Sequence, residues 1–154
     1  MSDLRQQGFT LLEMVCVLAI IALMAAVLLP VIPRETSRSR LQAYALQAAT
    51  LLKSDRDAAI RHHSDVATLV DAGGRAIRAG ASHATLRVPD DVRFDAVLPQ
   101  TCQRRAALST IRFFADGTSC GGTIVLTRLE TGYEVRVNWL TGRVEIVPRD
   151  IAGN

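Results

Sequence analysis

The chain has 154 residues, which is room for one modest domain rather than two. Hydrophobic residues make up 49% and charged residues 21%, so a wholly disordered chain is excluded. The net charge of +3 permits an anionic partner but does not require nucleic acid. Three cysteines without a C-x-x-C pair are too few for a disulfide-rich scaffold.

An uncharged run of twenty residues extends from Met14 to Pro33. As a helix with a rise of about 1.5 Å per residue it measures about 30 Å, the thickness of a bilayer core. The run is too long for a secretory signal peptide and lacks a small-residue cleavage site after it. A plain membrane anchor fits better but leaves Glu13 unexplained. A carboxylate at the lipid boundary near a helix N-terminus is one interpretation of that residue.

The residues around Glu13 favour a more specific interpretation. Gly8-Phe9-Thr10-Leu11-Leu12-Glu13 before a long apolar helix resembles the processing site of type IV pilins and type II secretion pseudopilins. The resemblance implies a leader over residues 1–8, peptidase cleavage after Gly8 and N-methylation of Phe9. It also implies that Glu13 pairs with the N-terminal amine of a neighbouring subunit, and that Pro30 lies where the family's helix often bends. The apolar transmembrane and filament-core helix then covers residues 9–33.

The basic residues on either side of the run predict the opposite orientation. Only Arg5 precedes it, whereas Arg34, Arg38 and Arg40 follow it, so the positive-inside rule places the C-terminal side in the cytoplasm. We give the motif precedence, because that rule is statistical and dedicated machinery handles the leader.

Residues 34–63 are predicted to continue the helix. From Glu35 to Arg61 there is neither Gly nor Pro, and good helix formers dominate. Apolar residues recur at spacings of three and four, which predicts an amphipathic face that packs on a sheet: Leu41, Ala45, Ala48, Leu52 and Ala59. With the apolar run this gives one element of about 50 residues and about 75 Å.

Residues 64–154 are predicted to be rich in β-strands. Strand-like runs cover 66–70, 84–88, 92–97, 109–114, 123–129 and 133–139, and a hairpin turn at 140–143 leads into 144–147. Strict alternation through the sixth run places Trp139 in the core with Val135 and Val137. A long helix followed by antiparallel strands is an α+β order.

Two stretches of this region resemble the H-type minor pseudopilin of type II secretion, whose domain is shared with some type IV minor pilins. They are Phe113-Phe114-Ala115-Asp116-Gly117-Thr118-Ser119-Cys120-Gly121-Gly122 and Val137-Asn138-Trp139-Leu140-Thr141-Gly142-Arg143-Val144. The resemblance implies a type IV pilin-like fold and a single-pass protein of the bacterial inner membrane with its head in the periplasm.

The same resemblance implies a role in exporting folded proteins across the outer membrane as part of the pseudopilus. The implied partners are prepilin peptidase, the major pseudopilin, other minor pseudopilins and the inner-membrane assembly platform. Two alternatives stay open: a type IV minor pilin whose head binds DNA for uptake, and an anchored periplasmic adaptor that is never cleaved.

No set of residues predicts an enzyme, a cofactor or a metal site. His62, His63 and Asp65 are interpreted as the end of the helix, where basic residues are favoured, and His83 as a surface residue. The loop from Asp116 to Gly122 lacks the P-loop Lys and the alternating acidic ligands of calcium loops, which favours a hairpin connection.

Two further features leave alternatives open. The Arg residues of the head form either a solvated strand face or a basic patch, and scarce aromatic residues argue against nucleic acid: Arg104, Arg105, Arg128, Arg136, Arg143 and Arg149. Cys102 and Cys120 are the plausible pair because Cys16 lies in the apolar run. They form a disulfide if the head is periplasmic, or else they are two separate small hydrophobic side chains.

Overall fold

The structure is a computed structural model that describes residues 10–28 and 36–150. The chain divides into two compact units, Met1–Arg34 and Glu35–Asn154. The first contains helix α1 (Leu11–Leu28), and the second, called the head below, contains helix α2 (Arg38–His62) and the strands.

Helix α1 is made of Leu, Ile, Val, Met and Ala apart from Cys16 and its one charged residue, Glu13. Thr10 precedes it and accepts the Glu13 N–H at its carbonyl oxygen (3.0 Å) and at its hydroxyl (3.3 Å). Within the two described ranges, no helix combines the length and hydropathy needed to cross a membrane. The ends of the predicted apolar helix, residue 9 and residues 29–33, lie outside these ranges.

Helix α2 has its own beginning, so the prediction of one uninterrupted helix is wrong. Thr36 and Ser37 are not helical, and Ser37 has extended backbone (φ −72°, ψ 165°). The Ser37 hydroxyl accepts the Arg40 N–H at 3.3 Å, as an N-cap side chain does. Thr36 is held by Asp91, 55 residues away, at 2.6 Å from its N–H and 2.9 Å from its hydroxyl. A tertiary contact and a local cap therefore start a second helix where composition alone favours continuity.

The strands of the head form three antiparallel sheets. They are β1 (Val66–Asp71), β2 (Ala76–Arg78), β3 (Thr85–Arg87), β4 (Arg93–Val97), β5 (Thr101–Cys102), β6 (Arg105–Ala106), β7 (Thr110–Phe113), β8 (Gly122–Arg128), β9 (Thr131–Val137) and β10 (Val144–Asp150). One sheet has the order β3-β2-β1-β7 and another has β10-β9-β8-β4, while β5 and β6 pair only with each other. The predicted α+β class is confirmed.

The core lies between α2 and the two larger sheets. The predicted stripe of α2 is buried throughout, and its small Ala side chains let the helix approach β1, β9 and β10 closely. Phe113, Ile124 and Val135 are fully buried on the sheet side. Because the described core draws only on residues 41–146, the head has a hydrophobic core of its own, as a unit that folds by itself requires.

The shortest strands were missed by the pattern analysis. Strand β2 has three residues and β5 and β6 have two each, which is too few for alternation to stand out. The connection after β7 also differs from a simple hairpin. It turns back through a bridge between Phe113 and Ser119, but β8 then joins the other sheet.

Candidate assembly site

The residues of the predicted processing site are only partly described. Gly8, Phe9 and Pro30 lie outside the described residues. Glu13 lies in the first turn of α1 and is exposed. An acidic side chain in the first turn lies at the positive end of the helix dipole.

Helix α1 exposes apolar side chains in every direction. Its large apolar residues from Leu11 to Met24 have exposed fractions between 46% and 83%. A helix that is apolar all round needs lipid or other helices to cover it. Cys16 is a free cysteine on the same helix.

A buried carboxylate on α2 joins the helix to two parts of a sheet. Asp55 is fully buried and accepts hydrogen bonds from the Thr68 hydroxyl (2.6 Å) and from the N–H groups of Gly80 (2.7 Å) and Ala81 (3.0 Å). A Cβ atom at Gly80 would overlap the carbonyl oxygen of Ala67, so the backbone approach requires glycine. Sequence reasoning missed Asp55, although an acidic residue on the apolar side of the stripe was a usable signal.

A second carboxylate holds the entry of the chain into the head. Besides Thr36, Asp91 binds the Arg128 guanidinium, with Nε and Oδ2 3.0 Å apart. The Thr36 backbone N–H above all, helped by the Thr36 hydroxyl and by Arg128, lowers the pKa of Asp91 against the opposing effect of desolvation. The start of α2 is thereby fastened to the loop before β4 and to the end of β8.

Trp139 is exposed, so its predicted place in the core is wrong. Strand β9 ends at Val137, and 67% of the Trp139 side chain is exposed on the following turn. The Asn138 side-chain oxygen accepts the N–H groups of Leu140 (2.9 Å) and Thr141 (3.0 Å). This local turn ends the alternation that the sequence suggested.

Arg56 of α2 fastens that turn to the loop after β7. Its Nε donates to the Gly117 carbonyl at 3.2 Å and its Nη2 to the Thr141 carbonyl at 3.1 Å. Gly142 has φ +61°, and a Cβ atom there would overlap the Gly117 carbonyl oxygen. The two stretches that suggested the family are therefore neighbours in space.

The structure joins Cys102 to Cys120 in a disulfide, with their Cα atoms 5.7 Å apart. Cys102 ends β5, and Cys120 lies two residues before β8. The bond thus ties the small β5–β6 hairpin to the loop after β7.

Four of the six Arg residues considered as a basic patch face carboxylates. Arg128 pairs with Asp91, Arg143 with Glu145 (3.0 Å), and both Arg136 (2.7 Å) and Arg149 (3.8 Å) with Glu134. The hydrogen bonds from Arg136 lower the pKa of the nearly buried Glu134 despite its desolvation. These pairs favour the interpretation as a strand face with mixed charge.

The histidines and the Asp116 loop show geometry that fits a structural role. His63 ends α2 in left-handed conformation (φ 48°), and His62, Asp65 and His83 are exposed. Asp116 accepts both the N–H (2.9 Å) and the hydroxyl (2.6 Å) of Thr118, which closes a turn and lowers the pKa of the carboxyl. Within the described part of the chain, no three His, Cys, Asp or Glu side chains gather as a metal site.

Comparison with known proteins gives consistent matches. Residues 3–29 match the prokaryotic N-terminal methylation motif, and residues 45–142 match the family of type II transport protein GspH. Type II secretion system protein H of Xanthomonas campestris pv. campestris is 34% identical over 143 residues, which cover 92% of this chain and 83% of that protein.

Two solved structures share the fold. The minor pseudopilin EpsH from the type 2 secretion system of Vibrio cholerae aligns with a TM-score of 0.55 at 11% identity, covering 70% of this chain and 95% of that one. The type IV minor pilin FimU of Pseudomonas aeruginosa aligns with a TM-score of 0.53 at 19% identity, covering 73% and 92%. The GspH family match covers more than half of the chain, and the Xanthomonas relative spans most of it. The chain therefore belongs to the GspH family and is a minor pseudopilin of type II secretion.

Proposed function

We propose that the chain is made as a membrane-anchored precursor, is cut between Gly8 and Phe9, and enters the pseudopilus through its apolar helix. One observation carries the proposal: a methylation motif over residues 3–29 precedes a GspH domain over residues 45–142 in the same chain. A processing signal and an assembly head in this order are what a filament subunit needs.

Glu13 is the residue that sets the register of assembly. After cleavage the amine of Phe9 is a cation, and the Phe9 amine of one subunit pairs with Glu13 of the next. The exposed Glu13 in the first turn of an otherwise apolar helix supports this role. A buried ion pair contributes little net stability, but removing one partner is costly, so the pair selects one register.

The partners follow from this route. Prepilin peptidase processes the leader, α1 lies in the inner membrane before extraction, and the head is periplasmic. Pro30 lies at the position where the resemblance to the pilins implies a bend of the apolar helix. The chain then packs against the major pseudopilin and other minor pseudopilins on the assembly platform, and its role is assembly rather than catalysis.

Mass spectrometry of the membrane-extracted protein tests the processing step. We expect loss of residues 1–8 and one added methyl group on Phe9. An intact N-terminus, or a cut beyond Ala26, would contradict the proposal.

A deletion strain tests the role in secretion. We expect normally exported enzymes to accumulate in its periplasm while DNA uptake is retained. The alternative function predicts instead that the head binds DNA tightly at physiological salt. Arg143→Ala or Arg149→Ala would then abolish this binding. That outcome would favour a DNA-uptake pilin instead.

A further inference from the structure

The turn after β9 presents two large apolar side chains on a rigid support. Trp139 and Leu140 are 67% and 60% exposed. The turn is held by the Asn138 side chain, by the bond from Arg56 to Thr141, and by the Ser119 N–H, which donates to the Trp139 carbonyl at 2.9 Å. Because the backbone is already ordered, binding a partner here costs little conformational entropy. A rigidly presented Trp is the residue type that most often dominates protein interfaces.

A groove of about 400 Å³ lies beside these side chains, and we call it the Trp139 groove. Its lining combines the apolar side chains of Trp139, Leu140 and Phe114 and the Cys102–Cys120 pair with four uncharged polar residues: Thr101, Gln103, Thr118 and Ser119. Among the described residues, no charged side chain lines it. The groove therefore accepts an apolar side chain rather than an ion.

The β5–β6 hairpin contributes Thr101, Cys102 and Gln103 to the lining of the Trp139 groove. This hairpin belongs to neither of the four-stranded sheets. The disulfide fastens it to Cys120, which also lines the groove. The shape of the groove thus depends on the bond between the two cysteines.

Two exposed cations, Arg104 and Arg105, directly follow the groove residue Gln103 in the hairpin. No described carboxylate forms an ion pair with either, whereas Arg128, Arg136, Arg143 and Arg149 are all paired. Unpaired cations beside an apolar groove complement a partner that carries carboxylates around an apolar side chain.

We infer that the Trp139 groove, with Arg104 and Arg105 next to Gln103 in the adjoining hairpin, binds a segment of another pseudopilin head that offers an apolar side chain flanked by carboxylates. The oxidised head alone presents the complete groove. This inference rests on the proposed function, which requires such heads to meet. Single-stranded nucleic acid is disfavoured because two cations neutralise about two phosphates, too few for appreciable affinity at physiological salt.

The test measures the affinity of the head, residues 34–154, for each of the other pseudopilins encoded beside it, purified as full chains in detergent. Trp139→Ala should weaken the affected interaction about 30-fold, and Leu140→Ala should weaken it less. Leu129→Ala is the matched control, because Leu129 is 82% exposed on the distant β8–β9 turn. Arg104→Glu should weaken binding several-fold, with its exposed counterpart Arg87→Glu as control. Cys102→Ser with Cys120→Ser should also weaken binding, and thermal unfolding verifies that each variant is folded.

The outcomes separate this inference from the proposed function. If the wild-type head binds a pseudopilin and both the Trp139 and Leu140 variants bind equally well, the groove is not the interface, although the assembly role stands. Equal weakening by the Leu129 and Arg87 controls would also overturn it. If the variant with Cys102→Ser and Cys120→Ser binds with full affinity, binding at the groove does not depend on the disulfide. Binding of a single-stranded oligonucleotide at 150 mM salt that Trp139→Ala abolishes would assign the groove to nucleic acid. If no pseudopilin binds and secretion is normal without the chain, the proposed function itself is wrong.

Discussion

The two helices of this protein solve different problems with different compositions. Helix α1 is apolar on all sides and its large side chains are exposed, whereas α2 buries one stripe against the sheets and turns polar residues outward. The ends of α2 are capped by Ser37 and His63, and Asp55 fastens its middle. A helix with one apolar stripe packs with that stripe toward the sheets and in no other orientation. A helix that is apolar all round can exchange lipid for neighbouring helices, as a subunit that leaves a membrane for a filament must.

The largest effect should come from the single charge on α1. We expect Glu13→Val to leave cleavage and membrane insertion intact but to weaken incorporation into the filament, because the neighbouring amine loses its partner. Crosslinking to the major pseudopilin measures this. Unchanged crosslinking would mean that Glu13 only marks the lipid boundary.

A matched pair of Leu→Ala substitutions tests whether the stability of the head is independent of α1. Leu52→Ala opens a cavity in the core, since Leu52 is fully buried, and should lower the free energy of unfolding by about 3 to 5 kcal/mol. Leu18→Ala makes the same change at a side chain that is 63% exposed on α1 and should leave unfolding of the head unchanged. Thermal unfolding of the full chain in detergent compares them. Equal destabilisation would show that the units depend on each other.

Asp55 should stabilise the head through hydrogen bonds, as Leu52 does through packing. Asp55→Ala leaves the Thr68 hydroxyl and the N–H groups of Gly80 and Ala81 without their acceptor. The Thr68 donor is buried and the other two are part-buried, so at about 1 kcal/mol for each lost bond we expect a loss of about 3 kcal/mol and a midpoint about 10 °C lower. Asp57→Ala, an exposed neighbour on the same helix, is the control. A midpoint as high as that of the control would contradict the role given to Asp55.

The disulfide should stabilise the head by a comparable or smaller amount. Closing the loop between Cys102 and Cys120, 18 residues apart, contributes roughly 3 kcal/mol in the chain-entropy model. Alkylation of denatured, unreduced protein should label one thiol, that of Cys16. Three labelled thiols would show that the bridge is absent in the cell, and denaturant unfolding with and without reductant measures its contribution.

The smallest effect should be a pH dependence at the start of α2. Because hydrogen bonds from Thr36 lower the pKa of Asp91 below its usual 3.8, its contribution to stability is present above that value. The contribution disappears as the pH falls through the lowered pKa. Wild type should therefore unfold at a higher temperature than Asp91→Asn at pH 6, and the difference between the two midpoints should narrow toward pH 2. A constant difference at both pH values would rule out titration of Asp91 as the cause.

Local periodicity predicted the elements that bury a regular face. The stripe of α2 and the alternation of Tyr133, Val135 and Val137 in β9 are both buried as expected. Each pattern is set by neighbours a few residues apart, so it can be seen in the sequence without knowing the fold. The same method failed for Trp139 because periodicity does not show where a strand ends.

The sequence by itself determined the order of the chain: a processing motif, an apolar helix, an amphipathic helix and antiparallel strands. Only the tertiary structure decided where α2 begins, which sheet β8 joins, and that Trp139 faces solvent. Those features depend on contacts between distant residues, such as Thr36 with Asp91 and Arg56 with Gly117 and Thr141. The spacing of residues along a chain encodes its local geometry, whereas a hydrogen bond across 55 or 85 residues exists only after the chain has folded.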